Sequence, residues 1–131
     1  MRCSASNTYK KRKKPEDQLQ ILFVNWLLDT GVLFNASCAG MKTHIKIASR
    51  MKKMGSKKGF PDIQIMEPRN QYHGMFIELK SKTGSVKKEQ KAWRAALIQK
   101  GYYAVIMPTR LELYDGLDWC KNEVIKYMGF K

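Results

Sequence analysis

Apolar residues recur at helical spacing early in the chain. Leu19, Leu22, Phe23, Trp26 and Leu27 fall at three- and four-residue steps, the stripe of an amphipathic helix. Pro15 suits the first turn of that helix, where its missing N–H costs nothing, and Gly31 marks its end. Val32-Leu33-Phe34 reads as a short strand, followed by a loop with Asn35, Ser37 and Gly40. Ile47, Met51 and Met54 mark a second, very basic helix that stops at Gly55. After the loop Ser56-Lys57-Lys58-Gly59 the period changes. Asp62-Ile63-Gln64-Ile65-Met66 alternates as a strand, a turn spans Pro68 to Gly74 with His73 in it, and Met75 to Lys80 forms the next strand. Ser85 can cap a third helix, with Val86, Gln90, Trp93 and Leu97 as its stripe and Gly101 as its end. Tyr102 to Met107 is more continuously apolar, as in the middle of a sheet. Thr109-Arg110-Leu111-Glu112 has the form of a capping box for a last helix carrying Leu113, Leu117, Cys120, Val124 and Tyr127.

The order α-(β)-α-β-β-α-β-α predicts an α/β fold, a mixed central sheet flanked by helices. With 131 residues and 44% hydrophobic content, one ordinary domain with its own core is expected. We expect residues 15–131 to form that domain and residues 1–14 to be a basic flexible arm, since they have no apolar period and end at Pro15. The apolar runs fall far short of the roughly 20 residues that span a bilayer. The first nine residues lack the apolar core of an export signal.

Charge changes the picture more than composition does. The formal net charge is +14, and a polyanion gains by releasing its counterions onto such a surface. The basic residues cluster: Arg2 to Lys14 and Lys42 to Lys58 contain no acid, and Glu89 is the only acid between Lys80 and Lys100. Lys10, Lys11, Arg12, Lys42, Lys57, Lys58, Lys82, Lys87, Lys91 and Arg94 are the candidate contacts to DNA. No basic amphipathic segment stands apart from a core role, which argues against a membrane surface as partner. Cys3, Cys38 and Cys120 are odd in number and lack a CxxC pair. A disulfide framework or a zinc site is therefore not expected, and a reducing cytoplasm is.

Asp62 opens one strand and Glu78 and Lys80 sit near the end of the next. Alternation puts Glu78 and Lys80 on one face about 7 Å apart, while Ile77 and Leu79 face the other way. A hairpin would bring Asp62 to Glu78. Paired carboxylates and a backbone carbonyl make a hard oxygen site suited to Mg²⁺ or Mn²⁺. Such an ion polarises a phosphodiester and lowers the pKa of water, and a lysine beside it can orient that water. An Asp with a distant Glu-x-Lys also arises by chance in a lysine-rich chain. What raises this one is its setting on apolar strands, where two neighbouring carboxylates cost several kcal/mol unless a cation compensates. Glu16 in the first turn of the first helix reads alone as an acid favoured by the helix dipole. Gln90 reads alone as a boundary residue, with Lys87, Lys91 and Arg94 on a stripe roughly 90° away from it.

Gly59-Phe60-Pro61-Asp62, Phe76-Ile77-Glu78-Leu79-Lys80, Gly84, Gln90, Trp93 and Gly101-Tyr102 together resemble the VRR-NUC family of PD-(D/E)XK nucleases, over about residues 15–128. The resemblance implies a restriction-endonuclease-like core, metal ligation by Asp62, Glu78 and the Leu79 carbonyl, catalysis by Lys80, and supporting roles for Glu16 and Gln90, with Glu16 reaching the metal through water. The Asn-Gly element common in the family fits Asn35 to Gly40 only loosely, and no function is carried over to that loop. Short stand-alone members resemble phage or viral proteins. Membership in that subgroup would imply a homodimer acting on branched DNA, such as a Holliday junction, in a host cytoplasm.

The expected function is thus a metal-dependent DNA endonuclease. A non-catalytic basic nucleic-acid-binding protein is the rival from another class, and it has no reason to place Asp62, Glu78 and Lys80 on adjacent strands. A sequence-specific restriction-type nuclease is the rival on the same fold, and it would need base-reading elements for which little sequence remains.

Overall fold

The computed structural model describes residues 15–37 and 44–130. Residues 1–14, expected to be an arm, with Lys10, Lys11 and Arg12, lie outside them, as do Lys42 and part of the Asn35–Gly40 segment. The described elements are helix α1 (Pro15–Thr30), strand β1 (Phe34–Ala36), helix α2 (Ile45–Lys53), strands β2 (Ile63–Ile65) and β3 (Met75–Glu78), helix α3 (Lys88–Gln99), strand β4 (Tyr103–Ile106) and helix α4 (Leu113–Met128). The expected α/β order is the observed one. No described helix is long and apolar enough to cross a membrane.

The four strands form one mixed sheet in the order β1-β2-β3-β4. The first two pairings are antiparallel and β3 pairs with β4 in parallel. A parallel pair needs a crossover, and α3 supplies it. Alternation along β2 and β3 sorts side chains to two faces. Ile63, Ile65, Met75, Ile77 and Leu79 meet Leu19, Phe23 and Leu27 of α1 and Leu117, Cys120, Val124 and Tyr127 of α4 in the larger core. Each such fully buried side chain contributes about 1.5–3 kcal/mol relative to exposure. On the other face, Phe76 and Ala104 pack with Leu97 of α3, edged by Phe60, Trp93 and Tyr102. Burial raises the Cys120 thiol to about 12, so it is a core hydrophobe and not a nucleophile.

Several sequence expectations need correction. The first strand is shifted to Phe34–Ala36, because Ala36 pairs with Ile63 while Leu33 is exposed. Among the described residues, the strand at 103–106 is not central but lies at the end of the sheet, beside β3. Its apolar character reflects cover on both faces, by α3 and by the larger core, and not its lateral position. Ser85 does not cap α3. That helix starts at Lys88 with Lys87 as N-cap, and the Gln90 side chain accepts from the Lys87 N–H at 2.9 Å. Thr109 to Glu112 form no capping box either. Arg110 has φ 69° and Glu112 itself is the N-cap of α4. The apolar stripe of α2 builds no core, since none of its residues is buried.

The unpaired edge of β4 is blunted by a side chain. Tyr103 and Met107 donate their N–H groups to Gly74 and Glu78 on the β3 side, so Ala104 and Ile106 turn their backbone groups outward. Arg94 on α3 donates from Nε to the outward Ala104 carbonyl at 3.1 Å.

Candidate active site

The antiparallel register pairs Ile63 with Ile77. Carried one residue further, it sets Asp62 opposite Glu78, on the face that also bears Phe76 and Lys80. Asp62 is fixed by its Oδ2, which accepts from the Leu79 N–H at 2.7 Å. Glu16 comes from the first turn of α1, which its buried stripe docks against the sheet. Ligand oxygens of Glu16, Asp62 and Glu78 all lie within 4.8 Å of one another.

These carboxylates are not in open water. Glu78 and Lys80 are each only 4% exposed. Burial, followed by the neighbouring charge of Asp62, pushes the Glu78 carboxyl up to about 9. Burial also raises Asp62, although its hydrogen bonds with Glu78 and Leu79 and the nearby Lys80 oppose the rise. Two carboxylates so placed cannot both carry full charge without a compensating cation. The donor set is all oxygen and of the hard type that Mg²⁺ or Mn²⁺ prefers. The residues present therefore fit a divalent ion.

Lys80 is aimed by three neighbours. Its Nζ donates to Gln90 Oε1 at 2.6 Å and to the Ser85 carbonyl at 3.0 Å, and it lies 3.9 Å from Glu78 Oε2. Gln90 Nε2 in turn donates to the same Glu78 oxygen at 3.2 Å. The amide orientation is dictated by its partners: Oε1 faces two donors, Lys80 and the Lys87 N–H, and Nε2 faces a carboxylate.

The cleft that holds these groups has a volume of about 550 Å³, and Lys58, Gly59, Phe60, Gly84 and Lys87 line its rim. Gly59 has φ +84°, and a Cβ there would sit 2.6 Å from Glu89 Cβ. Glycine is thus what lets the 56–60 loop press onto the start of α3. The Lys58 carbonyl accepts from Trp93 Nε1 at 3.1 Å and ties that loop to the helix.

All five side chains expected to be catalytic or supporting, Asp62, Glu78, Lys80, Glu16 and Gln90, line this one cleft. Of the suggested DNA contacts, Lys58 and Lys87 line it as well. Lys57 lines an adjoining hollow with Phe60 and Trp93. Lys91 and Arg94 do not reach the cleft. They line a separate groove beside β4, because the α3 stripe that carries them turns toward the sheet edge. Lys82 is exposed and ion-paired with Glu112. Sequence reasoning misses the Ser85 carbonyl and the Lys87 N–H, since backbone groups leave no residue-type signal and the helix starts two residues later than a Ser85 cap would set it.

The VRR-NUC domain profile matches residues 4–110, an interval that includes most of the segment expected to be an arm and stops before α4. Among solved structures, one described as a VRR_NUC domain protein superposes with a TM-score of 0.65 at 27% identity, covering 89% of this chain and 93% of that one. No curated protein matches.

Proposed function

The chain belongs to the VRR-NUC domain family of nucleases, with the α/β fold of that family, and from that premise we propose that it is a metal-dependent endonuclease that hydrolyses phosphodiester bonds in DNA. One observation supports this above the others. Three carboxylates converge within 4.8 Å beside a buried lysine that a glutamine amide holds in place. A DNA-binding protein without chemistry gains nothing from burying acids where phosphate would lie, since each repels it.

Asp62 and Glu78 would hold the ion directly and Glu16 directly or through water. In extended backbone the N–H and C=O of one residue leave the same edge of the strand, so a Leu79 carbonyl on the side where its N–H meets Asp62 would be a fourth oxygen for the site. Bound there, Mg²⁺ or Mn²⁺ supplies neutralisation of the scissile phosphate and acidifies the attacking water. Lys80 stands ready to orient that water and to stabilise charge on the phosphoryl oxygens. Gln90 keeps Lys80 and Glu78 at fixed separation, so neither collapses fully onto the other. Lys58 and Lys87 on the rim attract the phosphates on either side.

We infer further that the substrate is branched DNA and the working form a homodimer. One small site cannot cut two strands of a junction symmetrically, whereas a two-fold pair presents two sites at matched positions. End-labelled linear, flap and four-way-junction DNA, incubated with Mg²⁺, Mn²⁺, Ca²⁺ or a chelator, tests both levels. Expected are cuts with Mg²⁺ or Mn²⁺, none with Ca²⁺ or chelator, and paired cuts in the junction. Cutting in chelator would overturn the metal assignment. Tight binding with no cutting in any metal would leave a basic binder in place of an enzyme.

A further inference from the structure

Helix α2 is the one described helix with no buried residue. Ile45, Ile47 and Met54 are 80%, 53% and 76% exposed, so hydrophobic burial does not explain why a nine-residue helix projects here. Its charge pattern does. At 100° per residue, Lys46, Arg50 and Lys53 fall within about 60° of one another. With Ser49 beside them they line one shallow concavity on the helix surface. No acid occurs between residues 44 and 58, and neither the hydrogen bonds nor the ion pairs of the described residues engage the Lys46, Arg50 or Lys53 side chain with a protein acceptor.

The position matters as much as the charge. From Lys53 the chain runs only through Met54 to Lys57 before it reaches Lys58 and Gly59 on the cleft rim, and that loop is held to α3 by the Trp93 bond. A duplex whose scissile phosphate sits in the cleft and which extends past the Lys58 rim would run toward the segment that carries α2. A helix is about 10–12 Å across and the major groove about 12 Å wide. A helix that buries none of its residues can therefore approach a duplex with its whole basic side.

We propose that α2 is a duplex-docking helix, with Lys46, Arg50 and Lys53 contacting backbone phosphates that flank the cut site and Ser49 adding a neutral hydrogen bond. This rests on the nuclease reading of the cleft but names a separate surface, outside the residues of the site itself. The exposed Ile47 and Met54 beside the basic stripe would meet the groove wall, where apolar contact with thymine methyl groups is available.

The test is binding in chelator, so that cutting plays no part. A fluorescently labelled duplex of about 30 base pairs, long enough to cover both the cleft and α2, is titrated with the full chain and with the triple variant Lys46→Gln, Arg50→Gln, Lys53→Gln across a range of salt. Loss of three phosphate contacts should lower the slope of log affinity against log salt by about 2.7. It should also weaken binding by about tenfold or more near physiological salt. The exchange Lys46→Arg, Arg50→Lys, Lys53→Arg should restore both, because charge is kept. An unchanged slope overturns the proposal, as does a loss of affinity that the charge-preserving variant shares. If the triple glutamine variant instead turns a dimer into a monomer in sedimentation while the slope stays put, α2 is a protein–protein surface and the proposal fails. The nuclease reading is judged separately, by whether the parent cuts in Mg²⁺.

Discussion

Gln90 Oε1 lies 2.6 Å from Lys80 Nζ, while the other end of the same amide donates to Glu78. One side chain on a helix thus sets the spacing of a strand's last residue and a lysine just past its end. Gln90→Ala leaves both with a missing partner in a buried setting, a cost of about 1–3 kcal/mol. The expected outcome is a lower single-turnover rate with nearly unchanged DNA affinity, accompanied by a modest fall in Tm. If Gln90→Ala lowers affinity and leaves the rate alone, Gln90 acts on the substrate and not through Lys80 and Glu78.

Glu78→Gln and Lys80→Met should give one phenotype for two reasons. The first removes a metal ligand and a negative charge that faces phosphate. The second leaves the carboxylates and removes the group beside the attacking water. Both should cut slower by orders of magnitude, each tenfold loss needing only about 1.4 kcal/mol of transition-state stabilisation. Binding in chelator near neutral pH should stay close to normal for both variants, since the metal-free Glu78 carboxyl already holds a proton there. Gel-shift and cleavage assays on one labelled substrate decide it. Parent-like cutting by both variants would remove these residues from the mechanism.

The metal-free protein should lose stability as pH rises. The Glu78 carboxyl goes from an ordinary 4.5 to about 9 in the fold. Between those values the folded state keeps a proton that the unfolded chain releases, so folding weakens with rising pH by up to about 1.4 kcal/mol per pH unit. Below 4.5 and above 9 the effect is flat. Denaturant titrations in chelator, at acidic, neutral and mildly alkaline pH within that window, measure it. Glu78→Gln, which is neutral throughout, should show a shallower decline, and Mg²⁺ should rescue the parent most at the alkaline end, since binding expels the proton. Parallel pH profiles for parent and variant would show that Glu78 is not the proton holder.

Gly59→Ala should damage the rim without touching the chemistry directly. The new methyl would meet Glu89 Cβ at 2.6 Å and the Glu89 backbone carbon at 2.8 Å, at a φ that side chains rarely adopt. The 56–60 loop must then lift from α3. Expected are a Tm several degrees lower, a rise in KM, and increased exchange of the Trp93 indole N–H, which in the parent is bonded to the Lys58 carbonyl. A variant with parent-like melting and KM would show that the rim does not depend on this close approach.

Most of the site is legible in the sequence because β-structure is periodic. Two-residue alternation puts Glu78 and Lys80 on one face, and antiparallel pairing is enough to bring Asp62 across to them. Glu16 is harder to place. Its distance from Asp62 along the chain is bridged only when the α1 stripe docks on the sheet, and its local setting looks like ordinary dipole compensation. The end of the sheet misleads for a related reason. Tyr103 to Ile106 are covered on both faces, and sequence records cover above and below a strand but not neighbours beside it. Ser85 misleads because a capping residue type precedes an apolar position, whereas the chain stays extended until Lys87 and uses the Ser85 carbonyl for Lys80. The α2 stripe has the right period but no burial, since periodicity reports amphipathicity and says nothing about which face finds a partner.

The Arg94 bond to the Ala104 carbonyl has a bearing on how copies of this chain can meet. An open strand edge invites zipping with the edge of another chain. Here a second β4 would have to displace a guanidinium from its acceptor and bring a second guanidinium up against the first. Sheet-to-sheet growth along this edge is therefore discouraged, and copies at high concentration are steered away from end-to-end stacking. A two-fold assembly is therefore steered to surfaces other than the β4 edge of the sheet.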